Sequence, residues 1–204
     1  MTGYTSQELL YLEILDEIKI RLGALGGLFA SPTSWPARLL QEFCYLQLRM
    51  ICELIALGCM IAHGDIKKKN ALRAYEPRKI IDIMESFGSD FYPKGISISP
   101  YKESFQIESR SDPQLSRDGL IKLWGLSGDY LHRGSAKKVI KESQVVFNLN
   151  LDPAVFWSNK IIALLENHVI ATGEDKRHLL AGFKNPDGKV FIIGIKSYES
   201  VIPV

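Results

Sequence analysis

The chain predicts a mainly α-helical fold, a single-domain bundle of about five helices carrying two small β-hairpins. Three observations lead there. Apolar residues recur at steps of 3 and 4 over long stretches, the strand-like alternations are short, and 204 residues with 46% hydrophobic content suffice for one core. We therefore expect one domain over residues 1–204, with a helical bundle over 6–172, an inserted hairpin near 95–108 and a C-terminal hairpin over 177–197.

The first helix is expected over residues 6–29, where Tyr11, Leu15, Ile18, Leu22, Leu25 and Phe29 alternate steps of 4 and 3 as a helix-packing seam does. Such a seam needs a long helical partner, within the chain or in a second copy. Two prolines, Pro32 and Pro36, then break the pattern, and a second helix runs from about residue 36 to 62. Its most apolar part, residues 50–62, is interrupted by Glu53 and is shorter than the roughly 20 residues of a membrane span, so it reads as a buried helix. Cys44, Cys52 and Cys59 fall on one broad face of that helix, too far apart along the axis for a disulfide and without the close pairs of a zinc site. They read as reduced core thiols.

A basic stretch with Lys67, Lys68, Lys69, Arg73, Arg78 and Lys79 leads into a short helix from Pro77, on which Ile80, Ile81, Met84 and Phe87 share a face. Ile96 and Ile98, then Phe105 and Ile107, alternate about Pro100 and suggest a hairpin. A helix restarts after Ser116 or Asp118 and ends near His132. Asp152 followed by Pro153 reads as a helix N-cap with proline at the first helical position, and apolar spacing carries that helix to Gly173. Residues 178–183 and 189–195, around Asn185, Pro186, Asp187 and Gly188, form the last expected hairpin.

The net charge of +2 excludes a surface that is basic throughout and leaves room for local recognition only. The N-terminus lacks a basic region followed by an apolar core, so an intracellular, cytoplasmic protein without membrane contact is expected.

Two groups of residues carry candidate chemistry. On the second helix Arg38, Glu42, Tyr45, Arg49, Glu53 and His63 fall within a narrow arc. Its plain reading is a solvated face with Arg49 and Glu53 as an i,i+4 pair. Glu53, however, is flanked by Ile51, Cys52, Leu54 and Ile55, and a half-buried carboxylate needs Arg49 as partner. The second group is Gly128-Asp129-Tyr130-Leu131-His132-Arg133-Gly134. Asp129 and His132 sit three apart, so the carboxylate can orient the imidazole for acid–base work, Arg133 can hold an anion, and the glycines allow close approach. The plain alternative is a helix C-terminus with a favourable histidine. A metal site from His63, Asp65, Asp129 and His132 has suitable ligand types but no defining spacing, so neither metal nor cofactor is expected. Lys68 and Arg73, with Tyr75 able to stack on a base, offer a phosphate-binding surface, against the plain reading of a solvated linker. His168 and His178 read as structural or exposed.

Two long antiparallel helices, a shorter helix after a basic loop, and a helix ending in His132 resemble the HEPN domains, helical nucleotide-binding and ribonuclease domains of prokaryotic defence and toxin systems. The likeness covers residues 6–172. It implies a dimer that joins two sites in one cleft and cuts RNA without metal, using histidine and arginine. The family pattern has an arginine, then a polar residue, then a histidine four to six positions after the arginine. His132 takes the histidine place, but residues 125–131 contain no arginine. Arg49 or Arg133 then supplies the cation, or the domain is catalytically silent.

The functional expectation is a nucleotide- or RNA-binding domain or metal-independent ribonuclease. His132, Asp129 and Arg49 would carry the chemistry, and Arg133, Glu53, Lys68 and Arg73 would hold substrate. The alternative is a silent homodimeric interaction module joined through the seam of the first helix. Expected partners are a second copy, RNA or nucleotide, and a cognate small protein.

Overall fold

The computed structural model describes residues 4–31, 34–64, 73–88, 90–101, 104–132, 149–173 and 177–195. Lys68 and Arg133 lie outside them, as does Asp65.

Helix α1 (Ser6–Ala30) starts at a capping box, in which Thr5 and Glu8 satisfy each other's backbone N–H groups. Its seam is buried against α2 (Ala37–His63) of the same chain, with Leu28 replacing Phe29 at the last step. The long partner that the seam demanded is therefore intramolecular. α2 is long and apolar enough to cross a membrane, yet its apolar residues pack against α1, α3 (Pro77–Glu85), α4 (Arg117–Leu131) and α5 (Asp152–Leu165). The three cysteines are free and buried, and burial pushes the thiols of Cys44 up to about 11 and Cys59 up to about 12. Core thiols of that kind are unreactive.

The β structure departs from two separate hairpins. β1 (Lys94–Tyr101), β2 (Ser104–Ser109), β3 (Asn167–Ala171), β4 (His178–Gly182) and β5 (Phe191–Ile195) form one antiparallel sheet in the order β2-β1-β3-β4-β5. The architecture is thus mixed α and β rather than a helical bundle with appended hairpins. The connecting strand is β3, in a segment whose apolar spacing suggested continuation of α5. Helix α5 instead stops at Leu165, because Val169 and Ile170 face opposite sides of the sheet and both are buried. Its N-cap is Leu151 rather than Asp152, which lies in the first turn beside Pro153.

Gly95 lets the two hairpins meet. A Cβ there would run into the carbonyl oxygen of Ala163 on α5 and come within 2.8 Å of Gln114 Oε1. Gln114 in turn accepts from the Gly95 N–H at 2.8 Å and donates to its carbonyl at 3.2 Å. The backbone of β1 therefore lies directly on the helical layer while pairing with β3 through Lys94 and Gly95.

One face of the sheet joins the main core through Ile170, Leu179, Ala181 and Ile192. The opposite face gathers Ile96, Val169 and Leu180 into a second cluster, flanked by Ile98, Ile107, Phe191 and Ile195. Beyond Gly95, β1 and β2 run on as a two-stranded arm with Phe105 73% exposed.

Candidate functional site

Helices α2 and α4 are packed side by side, and the middle of the polar stripe of α2, from Tyr45 through Arg49 to Glu53, meets α4. The glutamate and arginine explain why. Glu53 accepts from the indole N–H of Trp124 at 2.8 Å and lies 3.4 Å from Arg49 Nε. The Arg49 guanidinium lies over the Trp124 ring, 4.2 Å from its centroid, and its Nη1 is the nearest atom to a Cβ built on Gly128, at 3.2 Å. Arg49 and Glu53 thus compensate each other's charge where both side chains are about one-fifth exposed, and Trp124 adds a cation–π contact. One turn back along α2, Tyr45 is stacked on Tyr130 with ring centroids 3.7 Å apart. Burial, and then Tyr130, raise the Tyr45 phenol well above its ordinary value. Arg38 and Glu42 continue the stripe as a half-exposed pair at 3.2 Å.

This packing brings Arg49 to the C-terminal end of α4. The carbonyl of Gly128 accepts the N–H of His132, which closes the helix in an extended backbone conformation. Asp129 and His132 are both exposed. Gly128 allows the guanidinium to lie against α4, a close approach that a larger residue there would crowd.

Other expected site residues do not join this end. Roughly 20 Å of helix axis separates Arg49 from His63, so His63 cannot share a metal ion with Asp129 and His132. Among the described residues no three His, Cys, Asp or Glu side chains come together to hold a metal ion. Arg73 is exposed, and a few residues further along the chain Lys79 pairs with Glu76 at 2.6 Å.

His168 is a core residue, as its plain reading anticipated. Its Nδ1 is 3.1 Å from the Leu165 carbonyl, which can only accept, so Nδ1 carries the proton and Nε2 accepts the Tyr11 hydroxyl at 2.7 Å. Burial holds it neutral, with a pKa lowered to about 4.

The sequence reading missed a grouping at the opposite end of α2, where His63, Asp90 and His178 line one cavity. They come from three distant segments, and no local spacing announces them. Gly173, beside the end of β3, was the nearest available signal.

The chain matches no family model, no curated protein and no solved structure. The HEPN resemblance therefore rests on the order of α1, α2 and α4 and on His132, and it does not account for the five-stranded sheet.

Proposed function

We propose that the chain binds RNA or a nucleotide at the C-terminal end of α4 and cleaves the phosphodiester without metal. His132 acts as general base and acid, Asp129 as its orienting carboxylate, and Arg49 as the phosphate-facing cation. The observation that carries this reading is the Arg49 guanidinium against Gly128, which brings a cation from α2 to the end of α4 that bears Asp129 and His132. The chemistry needs a base to take the 2′-hydroxyl proton, a cation near the pentacoordinate phosphate, and an acid to return a proton to the leaving 5′-oxygen. An exposed imidazole can fill the first and third roles in turn. Arg49 keeps Nε toward Glu53 and has further N–H donors for phosphate.

The test is cleavage of a labelled single-stranded RNA in EDTA by the wild type and by His132→Ala. Because His132 is exposed at a helix end, the variant should lose activity by about a hundredfold or more while its melting temperature stays within about 2 °C. Cleavage that persists in the variant removes the assignment.

One observation favours a second reading, an interaction module. The arm of β1 and β2 presents Ile98, Ile107 and Phe105 on one face, the first two half-buried and the last exposed. The seam of α1 is occupied by α2, so a homodimer or a cognate small protein would have to use such a surface. Sedimentation that shows a mass rising with concentration, and falling to the monomer in Phe105→Asp, supports it; a concentration-independent monomer removes the homodimer.

A further inference from the structure

The cavity beyond the end of α2 measures about 440 Å³, in the size range of small-molecule sites. Its chemistry is set by His63 from α2, Phe87 after α3, Asp90 and Phe91 before β1, and Gly173 and His178 from the adjacent ends of β3 and β4. None of these belongs to the α4 site.

The imidazole of His63 is held from two sides. Gly173 donates its N–H to the His63 carbonyl at 2.8 Å, and a Cβ on Gly173 would stand 2.5 Å from Nδ1 and 2.6 Å from that carbonyl oxygen. Only a glycine lets this strand end lie on the ring. Phe87 covers it from another direction, with centroids 5.2 Å apart and planes inclined by 46°. Nδ1 is buried without a hydrogen-bond partner, which leaves Nε2 as the ring's usable polar atom.

Asp90 supplies the complementary group. Its carboxyl is held below the usual range, first by the hydrogen bond from Lys94 at 2.8 Å and in smaller part by His178. The carboxylate is therefore an ionised acceptor whose charge Lys94 already balances. Flat aromatic walls favour a flat ligand, an acceptor carboxylate favours N–H groups, and a balanced charge gives a cation little advantage.

We propose that this cavity binds a neutral, amino-substituted heteroaromatic ring, with its face against Phe87, its amino group donating to Asp90, and a ring nitrogen accepting from His63 Nε2–H. Among the described residues no metal-ligating triad competes for these side chains.

Three small probes separate the possibilities. 2-Aminopyrimidine has the flat ring and the donor, 2-methylpyrimidine has the same shape without the donor, and benzylammonium has a ring and a positive charge. Binding is read from the histidine Cε1–H resonances of the full chain. 2-Aminopyrimidine should give saturable shifts with a roughly millimolar Kd, as expected for so small a ligand. The His132 resonance should stay still, which separates this cavity from the α4 end. Asp90→Ala and Phe87→Ala change exposed side chains and should fold. Each should weaken 2-aminopyrimidine at least about fivefold, because each removes one of the contacts proposed. The proposal is overturned if the wild type shows no saturable shift, if 2-methylpyrimidine binds equally, if benzylammonium binds more tightly, or if both variants bind as the wild type does.

Discussion

His168 and His63 are the same side chain in two kinds of surroundings. His168 is fully buried, and both nitrogens are engaged, one by a carbonyl that accepts and one by a hydroxyl that donates. His63 is half-buried in a cavity wall, with Nδ1 shut away from any partner and its ring flanked by Phe87 and Gly173. The two rings differ in burial and also in what their nitrogens meet. The useful distinction is whether the hydrogen-bonding capacity of the ring is spent on the fold.

The sharpest way to break this contrast is to truncate both rings. His168→Ala should cost about 4 kcal/mol, because it opens a core cavity and strands the Tyr11 hydroxyl, whereas His63→Ala should cost about 1 kcal/mol. Equal losses in urea unfolding would mean that His63 is as structural as His168.

Acid should act on the His168 ring. The folded pKa of His168 is lowered to about 4 from an ordinary 6.5, so the unfolded chain takes up a proton that the folded chain refuses between those values. Its contribution is complete above about pH 6.5 and is lost as pH falls toward 4, by about 3 kcal/mol in all. Below pH 4 both states are protonated and the loss stops. Urea midpoints at pH 7 and pH 4.5 should differ markedly in the wild type and much less in His168→Leu.

Tyr11→Phe tests the partner. It leaves His168 Nε2 buried without its donor and should cost about 2 kcal/mol. The smallest effect belongs to the α2–α4 face, where a double-mutant cycle over Arg49→Ala and Glu53→Ala should give a coupling of about 1 kcal/mol, since water still reaches both charges. A coupling several times larger would make Arg49 a core ion pair and weaken its assignment to phosphate.

Much of the helical layer was legible because its signals are local. The seam of α1 pointed to Tyr11, Leu15, Ile18, Leu22 and Leu25, and Ser116 caps α4 by accepting from the Gly119 N–H at 3.1 Å. The segment with Val169 and Ile170 was misread because a short apolar run fits a helix or a central strand equally well until its neighbours are known. The candidate sites divide in the same way. Asp129 and His132 are neighbours along the chain and could be found by spacing, but their relation to Arg49 depends on how α2 lies against α4 and on the space Gly128 leaves.

The amino-acid order by itself determined the length and apolar faces of α1, α2 and α4, the turn at Gly188 and the thiol-lined interior of α2, because each depends on periodicity or on the conformational preferences of adjacent residues. Tertiary structure alone decided that two hairpins become one sheet through β3, that Arg49 lies on Trp124, and that His63, Asp90 and His178 share a cavity. Those contacts join residues tens of positions apart, and only the packing of whole elements selects one such pairing over the many that the same side chains could make.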